Sequence, residues 1–218
     1  ELSYVSPHGE EGYPGNLKVQ VTYSPTEEAG GLRLDYVAEA DQDTVVNLTN
    51  HAYFNLAGQG QDSILDHELA LYADFFTAIN NEGVPTGEIF KVAGTPLDFR
   101  QMHAIGDKID ADHEQIRAGK GYDHNWIVRN GGKGLVRAAR AEHAPTGRVL
   151  EVWTTKPGIQ FYSGNFLNTP VHPYRSGFCL ETQFFPNSLR FSHFPSAILK
   201  QGERYEHSTI YDFSQCNM

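Results

Sequence analysis

Apolar and polar positions alternate with a period of two along much of this chain, the spacing that puts successive side chains on opposite faces of a β-strand. Leu32, Leu34, Tyr36, Ala38 and Ala40 alternate with Arg33, Asp35 and Glu39. Val19, Val21 and Tyr23 repeat the pattern, as do Tyr205, His207, Thr209, Tyr211 and Phe213 against Arg204, Glu206, Ser208 and Asp212. Turn-forming clusters separate the runs: Glu28-Ala29-Gly30-Gly31, Asp41-Gln42-Asp43, Asn130-Gly131-Gly132 and Pro145-Thr146-Gly147. Sustained helical periodicity is absent, and the one short helical candidate runs from about Gln101 to Asp110. Ala57 to Phe99 is less regular, mixing strand-like pieces with Gly and Pro. The pattern predicts an all-β, antiparallel fold with several hairpins. No repeat, linker or composition break divides residues 1–218, so a single domain is expected.

Charge narrows the functional classes. Lys and Arg total 17 against 27 Asp and Glu, a net charge of −10. Phosphate backbones and anionic bilayers are held by clustered Lys and Arg, and no such cluster occurs, so neither nucleic acid nor membrane is an expected partner. No apolar run reaches the roughly 18 residues of a membrane-spanning helix. Cys179 and Cys216 are too few for a disulfide framework, which suits a reducing, cytoplasmic setting.

The familiar catalytic signatures are missing: there is no GxSxG elbow, HExxH, phosphate-binding loop or dinucleotide fingerprint. The ten histidines lack metal-ligand spacing, so no metal is expected. The sequon Asn47-Leu48-Thr49 falls in an apolar strand candidate and reads as chance. Two stretches are unusual. Thr49-Asn50-His51-Ala52-Tyr53-Phe54-Asn55-Leu56 packs polar groups onto a strand end, where Asn is normally depleted. Gly177 to Pro186 sets Glu181 inside a long apolar run, where a carboxylate is either paired or held at a raised pKa. On composition alone His51 fits a satisfied structural histidine as well as an acid, and Glu181 is open between pairing and catalysis.

Asn50 to Leu56 and Leu180-Glu181-Thr182-Gln183 resemble the two signature stretches of the aldose 1-epimerases, or galactose mutarotases. The resemblance continues through Gly12-Tyr13-Pro14-Gly15-Asn16-Leu17, Pro85 to Ile89, Gly94 to Phe99, Gly121 to Asn125, Pro157 to Asn165 and Phe194-Pro195-Ser196. It implies a large twisted antiparallel β-sandwich and cofactor-free interconversion of the α and β anomers of hexoses such as galactose and glucose. It also implies that His51 is the general acid and Glu181 the general base. Asp123 and Gln160 would be ligands of the sugar hydroxyls, with Tyr53 beside the acid. The asparagines are expected to add further hydroxyl ligands, whereas His124, His172 and His193 are expected to be packing or surface residues.

There is one large departure. Members of the family carry a block of chain ahead of the point matched by Glu1, with an Arg and a second His that reach the same sugar. Glu1 to Glu11 offers only His8. The sandwich is therefore expected to be N-terminally truncated and incomplete, with another chain or copy covering the gap. Leu97, where the family usually has Phe, and Phe185-Pro186-Asn187-Ser188 are smaller and neutral departures. A non-catalytic sugar-binding sandwich is the main alternative. A glycosidase using Asp123 and Glu181 would leave a histidine acid without a role, and a hexose-phosphate epimerase would need a basic cluster.

Overall fold

The computed structural model describes residues 1–27, 30–59 and 63–216, and the alternating runs form strands there. Leu17–Pro25 pairs along its length with Gly31–Ala40, which pairs in turn with Arg204–Gln215. These three sit in an eight-stranded sheet ordered Leu2–Ser6, Leu17–Pro25, Gly31–Ala40, Arg204–Gln215, Arg148–Thr154, Val136–His143, Glu68–Leu71, His103–Ala104. A six-stranded sheet runs Tyr53–Phe54, Phe178–Gln183, Gly158–Tyr162, Asp123–Val128, Ala73–Ile79, Pro85–Lys91. Thr44–Val45 and Ile198–Leu199 form a small separate pair.

The two large sheets face each other across one core. The Tyr211 hydroxyl donates to the Leu180 carbonyl at 3.1 Å, and the Phe54 and Tyr211 rings lie 5.2 Å apart. Leu34, Tyr36 and Ala38 from one sheet and Trp126, Phe161 and Leu180 from the other belong to the same buried cluster. Burial of each large side chain among them, such as Leu34, Phe161 or Leu180, stabilises the fold by roughly 1.5–3 kcal/mol. Because side chains alternate, the residues between them point away from the core: Asp123 and Asn125, Gln160 and Tyr162, Cys179, Glu181 and Gln183. That second face carries the polar residues discussed below.

Lys156 is an exception to the apolar interior. It is fully buried, its Nζ donating to the Leu48 carbonyl at 3.2 Å and to the Tyr205 hydroxyl. The rings of Tyr36, Phe184 and Tyr205 surround the amine, and burial pushes its pKa down to about 7.

Several local expectations are corrected. Gln101 to Asp110 is not a helix: it holds the strand His103–Ala104 and a 3-10 turn at Ile105–Asp107. Ile105 and Ile109 are both buried at helix-like spacing, yet backbone pairing of His103 and Ala104 with Glu68–Leu71 wins over so short a segment. The α-helix is instead Glu114–Gly119, capped by the His113 ring at its start and left-handed Lys120 at its end. Ala57 to Phe99 is more regular than its Gly and Pro suggest, with strands at Glu68–Leu71, Ala73–Ile79 and Pro85–Lys91. Residues 46–52 are not a strand, although Asn47 imitates one: its amide exchanges hydrogen bonds with the backbone N–H and C=O of Phe184. The turns expected at 130–132 and 145–147 are present, and Gly30 lies in a turn; Glu28 and Ala29 fall outside the described residues. Among the described residues no helix is long and apolar enough to cross a membrane.

Candidate active site

Strand register builds the site. In antiparallel pairs, residues directly opposite one another share a face. Gln160 faces Asn125 on one side and Glu181 on the other; Tyr162 faces Asp123 and Cys179; Cys179 faces Tyr53. His51 arrives from the irregular segment just ahead of Tyr53–Phe54, its ring stacked on Tyr53 at 5.2 Å and 27°. His51, Tyr53, Asp123, Gln160 and Glu181 line one pocket of about 420 Å³, together with Tyr162, Phe166, Gln183 and Pro186. The structure brings all five sequence-expected residues together.

At its centre, His51 Nε2 lies 3.5 Å from Glu181 Oε1. The histidine side chain is 54% exposed and the glutamate 10%, so one partner opens to the pocket while the other sits in its floor. Burial pushes the Glu181 pKa up; His51 pulls it back, and the charge of Asp123 adds to the rise. Asp123 is also raised by burial, against the lowering effect of a 2.8 Å hydrogen bond from Gln160 Nε2. Burial and nearby acidic groups push Tyr53 up to about 12.

An amide relay supports Asp123. Gln183 Nε2 donates to Gln160 Oε1 at 3.1 Å and to Asn125 Oδ1 at 3.4 Å, and Gln160 in turn donates to Asp123. These bonds hold the Gln160 amide with its N–H₂ toward the carboxylate. Gly158 makes room for the relay, because a Cβ there would come within 2.4 Å of Asn125 Oδ1.

Gln183, Tyr162, Phe166 and Cys179 were not assigned roles from sequence. Gln183 and Cys179 could have been found by parity, since they flank Glu181 at two-residue steps and must share its face. Phe166 lies on no strand and had no such signal. Expectation also failed for the signature asparagines: Asn50 Oδ1 accepts from the Ala52 N–H, and Asn55 bonds the Ala57 N–H and the Ser176 carbonyl. They shape the loop rather than line the pocket. His124 is buried in the core, and His172 and His193 are exposed, as anticipated. His8 accepts from the Gly15 N–H, in the loop between Leu2–Ser6 and Leu17–Pro25. A further hollow of about 480 Å³ lies beyond Tyr53, lined by Leu167, Val171 and Gly177 among others and, among the described residues, by no carboxylate.

A family profile described as aldose 1-epimerase matches residues 1–212. Galactose mutarotase of Sus scrofa is 50% identical over 221 residues, covering 98% of this chain and 62% of the relative. Galactose mutarotase of Homo sapiens is 47% identical with the same coverage. Aldose 1-epimerase of Escherichia coli K12 is 38% identical over 95% of the chain. Among solved structures, galactose 1-epimerase from Lactobacillus acidophilus superposes with a TM-score of 0.86 at 29% identity, over 99% of this chain and 62% of that one. An aldose epimerase homologue from C. elegans gives 0.86 at 28% identity, over 99% and 65%. The chain thus spans less than two thirds of the length of these relatives.

Proposed function

The chain belongs to the aldose 1-epimerase family, and from that premise we propose that it carries the acid–base centre of a mutarotase acting on hexoses such as galactose and glucose. The observation that carries this reading is the 3.5 Å approach of His51 Nε2 to Glu181 Oε1 in a pocket that also holds Asp123 and Gln160. A cyclic aldose is a hemiacetal, so inverting its anomeric carbon needs only proton transfers. Glu181 removes the O1 proton while His51 delivers one to the ring oxygen, and the C1–O5 bond opens to the aldehyde. Rotation about C1–C2 and reclosure give the other anomer, as the O5 hydroxyl returns its proton to His51 and Glu181 gives its proton back to O1. Each proton-transfer group is typically worth about 10²–10⁴ in rate.

Asp123 and Gln160 suit the remaining work. A carboxylate and an amide fixed by the relay present acceptors and donors to neutral hydroxyls, and orientation of this kind lowers the barrier entropically. The Glu181 carboxyl, raised by burial, is a stronger base than an exposed one and so better matched to an anomeric hydroxyl.

We assign full turnover to these residues together with the further Arg and His that the family resemblance implies, supplied by chain or copy beyond residues 1–218. The test is polarimetry on α-galactose and α-glucose, with calorimetry alongside. Accelerated approach to anomeric equilibrium supports the reading. Sugar binding without acceleration, even when the remaining family region is added, replaces it with a sugar-binding sandwich.

A further inference from the structure

We propose that Cys179, His51 and Glu181 form a binding site for one soft divalent cation of the zinc type, and that the cation, once held there, switches off the acid–base pair. The site stands on the three side chains; the switching-off rests on the reading of His51 and Glu181 as acid and base.

One donor atom from each of the three residues lies within 4.8 Å of the other two. Cys179 Sγ is 3.4 Å from His51 Nδ1, and His51 Nε2 is 3.5 Å from Glu181 Oε1. Bonds of about 2.3 Å to sulfur and about 2.0–2.2 Å to nitrogen and oxygen set tetrahedral ligands roughly 3.4–3.6 Å apart, so small side-chain rotations complete the cage. Thiolate, imidazole and carboxylate together suit Zn²⁺ or Cd²⁺, whereas Mg²⁺ and Ca²⁺ seek oxygen alone. Cys179 and Glu181 share the pocket face at a two-residue step, and Tyr53, which pairs with Cys179, has His51 stacked on its ring. His51 comes from a distant segment, so no spacing along the chain announces the set.

A second group, Asp66, His67 and His143, is equally close-set but chemically different. The Leu56 N–H donates to His67 Nε2 at 2.9 Å, so the His67 proton stays on Nδ1, which lies 3.0 Å from Asp66 Oδ1. That ring has no lone pair left for an ion. His51 Nδ1 instead faces a thiol, and a thiol yields its proton to a cation. Burial keeps Cys179 as S–H otherwise. Coordination breaks the S–H bond, forms a metal–sulfur bond and releases the proton to solvent. The same ion takes the Nδ1 lone pair, so the ring can no longer become the imidazolium that serves as acid, and it ties up the carboxylate that serves as base.

Co²⁺ is the probe, because a cobalt–thiolate bond absorbs strongly in the near ultraviolet. The exposed Cys216 is replaced by Ser throughout, so the sulfur signal reports on Cys179 alone. One Co²⁺ per chain should bind with the thiolate band and be displaced by Zn²⁺. The band should vanish in Cys179→Ser, and affinity should fall at least about 10-fold in His51→Asn, since even the outer partners of metal ligands are worth about 10–100-fold. His143→Asn should bind as the parent does. Absence of the thiolate band in the parent, unchanged affinity in His51→Asn, or loss of binding in His143→Asn overturns the proposal. On the complete protein, saturating Zn²⁺ should slow mutarotation at least about 10-fold, and a chelator should restore it. Site-bound Zn²⁺ with undiminished mutarotation would overturn the switching-off. A complete protein without mutarotation even after chelation would count against the mutarotase reading, while the thiolate band still decides the site.

Discussion

Gln160 stands directly across from Glu181 on the pocket face while donating a 2.8 Å hydrogen bond to Asp123, so one side chain sits between the two carboxylates. Replacing Gln160 with Met keeps the volume and removes the donor. Hydrogen bonds to charged groups are worth about 1.5–3 kcal/mol. The expected result is a fall of about 10–100-fold in kcat/KM, mostly through KM, measured by polarimetry on the complete protein. The Asp123 carboxyl, freed of the bond that lowers it, should titrate higher by ¹³C NMR.

Glu181→Gln should separate activity from stability. Loss of the base lowers kcat by at least about 10², and retention of more than a tenth of the activity would remove Glu181 from that role. Stability moves the other way. The folded-state pKa of Glu181 lies above its unfolded value, so ionising it opposes folding as pH rises through and beyond that interval. The variant should therefore melt higher than the parent at pH 7, and the gap should close below the ordinary carboxylate range. Thermal unfolding across pH checks the sign.

The same raised carboxyl shapes the rate profile. A base must be ionised, so kcat/KM should fall on the acid side through an apparent pKa above the usual carboxylate range, within a bell whose limbs belong to the His51–Glu181 pair. A rate flat from about pH 5 to 9 would contradict the acid–base reading.

Lys156 offers a test of burial alone. Its pKa falls from 10.5 to about 7 in the fold, so the unfolded chain binds more protons between those values and stability rises with pH across that window. Lys156→Met removes the titration. Its free energy of unfolding relative to the parent should be most favourable near pH 7 and decline toward pH 10, by up to roughly 1.4 kcal/mol for each pH unit crossed. Denaturant unfolding at a series of pH values measures this; parallel curves for the two proteins would exclude a buried amine of lowered pKa.

The isolated 218-residue chain is expected to be weakly active and to self-associate. Leu2–Ser6 forms the edge of the eight-stranded sheet, with Leu2, Tyr4 and Val5 each more than half exposed. An unpaired apolar edge recruits other strands. Light scattering beside polarimetry decides: a monodisperse monomer that turns over galactose as fast as a full-length relative would show that the implied Arg and second His are dispensable.

Where one sheet face is buried and the other polar, the fold was legible from period two alone, as in Gly31–Ala40 and Arg204–Gln215. Glu68–Leu71 and Pro85–Lys91 were not, because tertiary pairing imposed strands on segments whose own pattern is weak. His51 stood out within a stretch dense in polar groups and Glu181 as a carboxylate inside an apolar run, and their roles came from family resemblance. The relay through Gln183 and the thiol at Nδ1 depend on which strands lie side by side, and spacing along one segment carries no such information.

Phe178–Gln183 is buried at all six positions, packed into the core on one face and forming the pocket floor on the other. A strand on the rim of a fold can drift at every second residue without penalty. This one has no idle parity: Phe178, Leu180 and Thr182 answer to volume, Glu181 and Gln183 to proton and hydrogen-bond placement, and Cys179 to its contact with the His51 ring. A saturation library across it should therefore show an unbroken block of intolerance in place of the usual comb, with the two parities failing in different assays: the inward residues in abundance, the outward ones in turnover at normal abundance.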